Sequence, residues 1–176
     1  MSTIGDERIG LFIDGVSLQH ATNVLQMRLD FKRLLKMFQQ RGRLIRANYY
    51  SVLSQPSDDT LKPLLDWLSY NGFNVVARNP RHGGDAENML SLAVDISVDA
   101  MRLSGHLDHI VLFSACRELQ SLVCALKTMG RRVSVVSTMR AQSVPDELRR
   151  AADTFLDLDD LRPIIAKEVG TVQQAS

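Results

Sequence analysis

Cysteine, aromatic side chains and an excess of either charge are all scarce in this sequence. Two cysteines, Cys116 and Cys124, among 176 residues leave no disulfide framework and no Cys-x-x-Cys pair for structural zinc. If both stand on one helix, they are too far apart to bridge within it. Lys and Arg number 21 against 20 acidic residues, a net charge of +1. That balance argues against a strongly basic nucleic-acid binder and leaves room for a local basic patch only. Aromatic residues make up 6%, too few for an extended base-stacking surface. No stretch approaches 18 uninterrupted apolar residues, so no membrane span is expected. The charged opening MSTIGDERIGLF does not read as a signal peptide. There is no internal repeat, no GxGxxG and no phosphate-binding P-loop. A cytoplasmic protein with reduced thiols is the expectation.

What is present is an ordinary globular composition, 45% apolar and 23% charged, in a chain long enough for one real core. Short apolar runs alternate with helical patterns. Strands are expected at 8–13, 43–53, 73–78, 110–113 and 132–137, with a short last one at 154–158. Helices are expected at 16–27, 30–42, 61–71, 87–104, 116–129 and 145–152, and over DDLRPIIAKE. NPRHGGD at 79–85 is the clearest loop. The alternation predicts an α/β fold: a Rossmann-like parallel sheet of about five to six strands with helices on both faces. A single domain over 8–165 is expected, with short flexible termini at 1–7 and 169–176.

Parallel sheets place ligands beyond the carboxyl ends of their strands, at a topological switch point. That rule selects Asp14, Gly15 and Ser17 after the first strand, and Ser114, Cys116, Arg117 and Glu118 after the fourth. Ser137, Thr138 and Arg140 follow the fifth, and the long helix offers Asn88, Ser91, Asp95 and Asp99 on a polar face. Asp14 ends a buried apolar strand, where a carboxylate either receives N–H bonds from the next helix start or meets a metal. Asp14 with Glu118, joined by Asp95, would offer oxygen ligands to Mg²⁺. Alone, Glu118 reads as an acid in the first turn of a helix, favoured by the helix dipole. Cys116 at a helix start is a candidate thiol nucleophile, with only His20 or His82 placed to reach it; a small buried cysteine is the plainer reading. Lys32, Arg33, Lys36, Arg41, Arg43 and Arg46 form a basic run suited to phosphate contacts, and Arg78, Arg81 and His82 add to a positive rim.

FIDGVSL at 12–18, VDAMRL at 98–103, DHIVLFS at 108–114 and RRVSVVST…DELRRAADTFLDL at 131–158 resemble the NYN-domain, LabA-like family of PIN-like nucleases. The resemblance runs from about residue 8 to 165. It implies a PIN-like fold and a ribonuclease that uses Mg²⁺ or Mn²⁺ held by acids at the strand ends, acting on single-stranded RNA. Carried over position by position, the pattern is incomplete. Asp14 and Gly15 of the family's FIDGxNL are kept, and Ser17 stands where the family has Asn. In KGNMDxExAVDAM, Asp99 and the acid at Asp95 are kept, but Ala93 occupies the place of the metal-ligand Asp. In SGDxDF, Cys116 replaces the first Asp and Glu118 the second. Two of four expected acids are therefore missing, at the vestigial positions Ala93 and Cys116. The acids left for a metal are Asp14 and Glu118, with Asp95 the one further candidate. Asp95 points about 200° away from Ala93 on an ideal helix. Glu118 is longer by a methylene, and a thiol is a poor ligand for magnesium. Ser17, Ser114 and Arg117 remain as substrate-binding candidates.

Three readings follow. The first is an RNA-associated binding or regulatory protein that has lost cleavage. The second is a weak metal-dependent endoribonuclease using Asp14 and Glu118. The third is a protein-interaction subunit, as a homo- or hetero-oligomer, paired with an acid-complete relative.

Overall fold

The strands carry apolar side chains on both sides, and this alone calls for a sheet covered on two faces. In the computed structural model, which describes residues 5–53, 59–80, 82 and 84–168, the six strands are β1 (Arg8–Asp14), β2 (Arg43–Val52), β3 (Asn74–Arg78), β4 (His109–Phe113), β5 (Arg132–Ser137) and β6 (Thr154–Asp157). They form one sheet in the order β3-β2-β1-β4-β5-β6, parallel throughout. Among the described residues seven helices cover it: α1 (Gly15–Val24), α2 (Phe31–Arg41), α3 (Lys62–Tyr70), α4 (Gly84–Leu103), α5 (Gln120–Thr128), α6 (Asp146–Ala151) and α7 (Leu158–Ile165).

Alternation along the strands sorts the core into two halves. Ile9, Leu11 and Ile13 of β1, with Val111 and Phe113 of β4, face α1, α2, α3 and α7. Phe12, Ile110 and Leu112 face α4, α5 and α6. The order reverses between β1 and β4, so the carboxyl ends of those two strands flank the switch-point crevice. Asp14 and Ser114 stand there.

Local chemistry sets most of the boundaries. Asp30 caps α2 by accepting N–H bonds from Lys32 and Arg33 at 3.0 and 3.1 Å, and Asp157 caps α7 through the N–H of Asp159 at 2.9 Å. Helix α1 stops three residues short of expectation, because Gln26 turns to φ +49°. The long helix begins at Gly84, earlier than the expected 87. The helix expected over 116–129 is interrupted. Cys116 stays extended, Arg117–Leu119 form a 3₁₀ turn, and α5 starts only at Gln120. The cause lies in Ser114, whose hydroxyl takes the Cys116 N–H at 3.1 Å and holds the chain out of helix there. Arg81 of the expected positive rim, and the termini at 1–4 and 169–176, lie outside the described residues. No helix among the described residues is long and apolar enough to cross a membrane.

Candidate functional site

Asp14 is 1% exposed, and its whole hydrogen-bonding capacity is turned inward. Oδ1 accepts the N–H groups of Val16 and Ser17 at 3.0 and 3.1 Å, capping α1. Oδ2 accepts the hydroxyls of Ser17 at 2.6 Å and Ser114 at 3.1 Å. Burial raises the carboxyl above the usual carboxylate range, and the bonds from Ser17, Ser114 and Val16 pull the other way without cancelling it. Gly15 is fixed by close approach: a Cβ there would lie 2.7 Å from both the Tyr49 hydroxyl and the Tyr50 carbonyl oxygen.

From Asp14 the network runs outward through Ser114 to the Cys116 backbone. The Cys116 thiol donates to Glu118 Oε2 at 3.0 Å. Burial and that carboxylate push the thiol up to about 12, so it is protonated at neutral pH and is no nucleophile. His20 and His82 are both exposed and neither bonds to it. Glu118 is exposed and is held below its ordinary value by the same thiol contact. Arg117 turns away to Glu147 at 3.9 Å.

The positions of the two missing acids are filled by core. Ala93 is 6% exposed and Cys116 is 3% exposed. Both belong to the apolar cluster that contains Phe12, Tyr50 and Leu119. Asp95 is engaged elsewhere, gripped by Arg78 through two bonds of 2.7 and 2.5 Å. Asp99 accepts the Tyr50 hydroxyl at 2.9 Å. Sequence reasoning had Arg78 and Asp95 as separate candidates and missed their pairing. The signal was available, because the end of β3 leads directly into the helix that carries Asp95. It also missed Tyr49 and Tyr50, which look like core in a β-strand pattern.

Whether these residues fit a divalent ion can be read from their bonds. Magnesium and manganese need several free oxygen ligands converging on one point. Asp14 has no lone pair left over after four bonds, Asp95 is neutralised by a guanidinium, Glu118 is exposed and takes the Cys116 thiol at 3.0 Å, and positions 93 and 116 offer a methyl group and a protonated thiol. Among the described residues no three His, Cys, Asp or Glu side chains come together as a metal-binding group. The set does not fit the ion.

Asp14 therefore acts here as a buried cap, and its replacement has a predicted signature. Its folded pKa is raised, so it stabilises most below the unfolded value near 3.8 and loses that contribution as pH rises. Asp14→Asn keeps a carbonyl oxygen for the two N–H bonds. The variant is expected to be within about 1 kcal/mol of the parent at pH 7 and to compare less favourably near pH 4. Urea unfolding at the two pH values measures both.

The NYN domain profile matches residues 8–159. The chain is 29% identical over 168 residues to the Low amplitude and bright protein LabA of Synechococcus elongatus, covering 91% of this chain and 88% of the relative. Its fold is that of a crystallised protein of unknown function from Vibrio parahaemolyticus, with a TM-score of 0.76 at 20% identity over 95% of this chain and all of the other. With the sheet order, the Asp14–Gly15 turn and the profile in agreement, this chain belongs to the NYN-domain family.

Proposed function

We propose that this chain is a binding or regulatory protein on a nuclease-type fold, associated with single-stranded RNA and without metal-dependent cleavage. The observation that carries this is the burial of Ala93 and Cys116 in one apolar cluster with Phe12 and Leu119. An acid lost to a solvent-exposed residue leaves a site that water and ions still reach. An acid lost to core side chains leaves a site closed by packing. RNA is supported by family and by surface: Lys32, Lys36, Arg41, Arg43 and Arg46 are all exposed on α2, its C-terminal edge and β2.

The test is RNA binding by fluorescence anisotropy over a salt series, with a cleavage gel alongside. Binding that weakens steeply with salt, is unchanged by Mn²⁺ and leaves the RNA intact is the expected result. Mn²⁺-dependent cleavage abolished by Asp14→Asn would establish the ribonuclease that uses Asp14 and Glu118 in its place.

One observation favours a protein-interaction subunit as a second reading. Leu90, Val94, Val98 and Met101 form an apolar row along the outer side of α4, 45, 62, 51 and 40% exposed. They recur at helical spacing and face away from the sheet. A solution mass above one chain that Val98→Glu reduces to one would support this reading; a single-chain mass in both would oppose self-association.

A further inference from the structure

On the opposite face of the sheet from Ala93 and Cys116, a cavity of about 680 Å³ opens between α1, α3 and the turn into α2. Its volume falls within the roughly 300–1,000 Å³ of small-molecule sites. Three chemically different zones line it. Deep in the wall is Tyr49, 4% exposed, whose hydroxyl lies beside Gly15 at the start of α1 and takes part in no hydrogen bond among the described residues. The sides are apolar, with Phe31, Leu64 and the exposed ring of Trp67. The rim is cationic. Lys32 Nζ lies 5.7 Å from the centre of the Trp67 ring. Arg28 and Lys167 are held beside each other by a backbone bond of 2.8 Å from the Lys167 N–H to the Arg28 carbonyl. None of these three cations has a carboxylate partner among the described residues. The carboxylate on the lining, Asp30, already receives the N–H groups of Lys32 and Arg33.

A ligand that satisfies all three zones has a hydrogen-bonding edge at one end, a flat apolar body and an anion at the other end. We propose that the cavity binds a nucleoside phosphate. Its base edge meets the Tyr49 hydroxyl, its ring lies against Phe31, Leu64 and Trp67, and its phosphate stands among Arg28, Lys32 and Lys167. A fatty acid would match the rim and the sides but would leave the Tyr49 hydroxyl facing hydrocarbon, which is unfavourable. Inorganic phosphate would meet the rim and leave the apolar sides uncovered. The ligand is either a free nucleotide or the phosphorylated end of a strand, since both present the same chemistry. The cavity lining does not include Asp14, Ser114 or Cys116, although Tyr49 packs its hydroxyl against Gly15 beside Asp14; ligand binding and RNA cleavage are read by separate experiments.

Trp67 is the protein's single tryptophan, which makes its emission a reporter for this cavity alone. The full chain is titrated with AMP, GMP, CMP and UMP, with ribose 5-phosphate and decyl sulfate as comparisons and calorimetry as a second readout. The expected result is saturable binding of at least one nucleotide and none of ribose 5-phosphate. Tyr49→Phe, which removes only a hydroxyl, should weaken it on the order of 10-fold. The surface pair Arg28→Glu with Lys32→Glu should weaken it further. Tetranucleotides with and without a 5′-phosphate separate the sources. Tighter binding of the phosphorylated strand than of the mononucleotide assigns a strand end, and equal binding assigns a free nucleotide. No saturable binding of any nucleotide by either readout, unchanged affinity in both variants, or decyl sulfate binding in their stead overturns the proposal.

Discussion

An Ala93→Asp variant is expected to lose on the order of 3–4 kcal/mol of folding stability at neutral pH. Ala93 is buried within the apolar cluster that also holds Phe12, Tyr50, Cys116 and Leu119. A carboxylate there would lose its water and find a methyl-lined wall and a protonated thiol in return. Such a group either carries an unpaired charge or stays protonated, and both destabilise the fold. Adding Cys116→Asp in the same chain removes the thiol from Glu118 and brings three carboxylates, at positions 14, 93 and 116, to one crevice. Their mutual repulsion deepens the loss, and a divalent ion then relieves it. At 100 times its dissociation constant, Mn²⁺ would return about 2.7 kcal/mol to the double variant and nothing to the parent. Chemical denaturation with and without Mn²⁺ reads all of these. An Ala93→Asp protein that unfolds at the parent's midpoint without metal would mean that position 93 is not closed by packing.

Acidification from about pH 6.5 to about pH 4 is expected to cost the protein up to about 3 kcal/mol through one residue, His109. His109 opens β4 at the far end of the sheet from the crevice and is 5% exposed. Its Nδ1 faces Arg132 Nη2 at 2.8 Å, and its Nε2 faces Ser134 Oγ at 2.7 Å. A guanidinium only donates, so Nδ1 accepts, Nε2 carries the hydrogen, and the ring is neutral. Burial, reinforced by Arg132, brings its pKa down to about 4 from 6.5, against the opposing pull of Glu7. Between these values the unfolded chain takes up the proton and the folded chain does not. Stability is therefore full above about 6.5 and falls as the pH drops toward 4. His109→Gln should flatten this limb whatever it does to stability at pH 7. A parent whose unfolding midpoint is level from pH 6.5 to 4.5 would contradict the assignment. The Ser–His–Glu succession has the outline of a hydrolytic triad, but a neutral ring donating to Ser134 from Nε2 cannot take that hydroxyl's proton.

The sheet was legible because its signal is redundant. β1 and β4 are short apolar runs closed by turn residues, and α2 and α3 carry clear apolar stripes. The parallel α/β architecture needed nothing beyond that alternation, and the switch-point rule then pointed to Asp14 and Ser114 before any contact was known. What could not be read was how the polar side chains pair. Asp95 was a candidate ligand until Arg78 was seen to hold it. Ser17 and Ser114, expected to meet substrate, both donate to Asp14 Oδ2. These bonds join residues up to 100 positions apart, and no periodicity encodes them. The helix expected from Cys116 failed for the same reason, since a hydroxyl two residues upstream captured its N–H. Tyr49 was invisible as a site residue because a buried tyrosine in a strand ordinarily reports core. Its unpartnered hydroxyl shows only once the helices are in place.

Ala93 and Cys116, standing buried where two acids would, are what denies the crevice a metal. Calorimetric titration of Mn²⁺ into the parent and into the chain carrying both Ala93→Asp and Cys116→Asp tests it most directly. The predicted result is no binding heat from the parent and a saturable one-site isotherm from the restored chain. Stoichiometric binding by the parent that disappears in Asp14→Asn would contradict it, and would return Asp14 from a buried cap to a metal ligand.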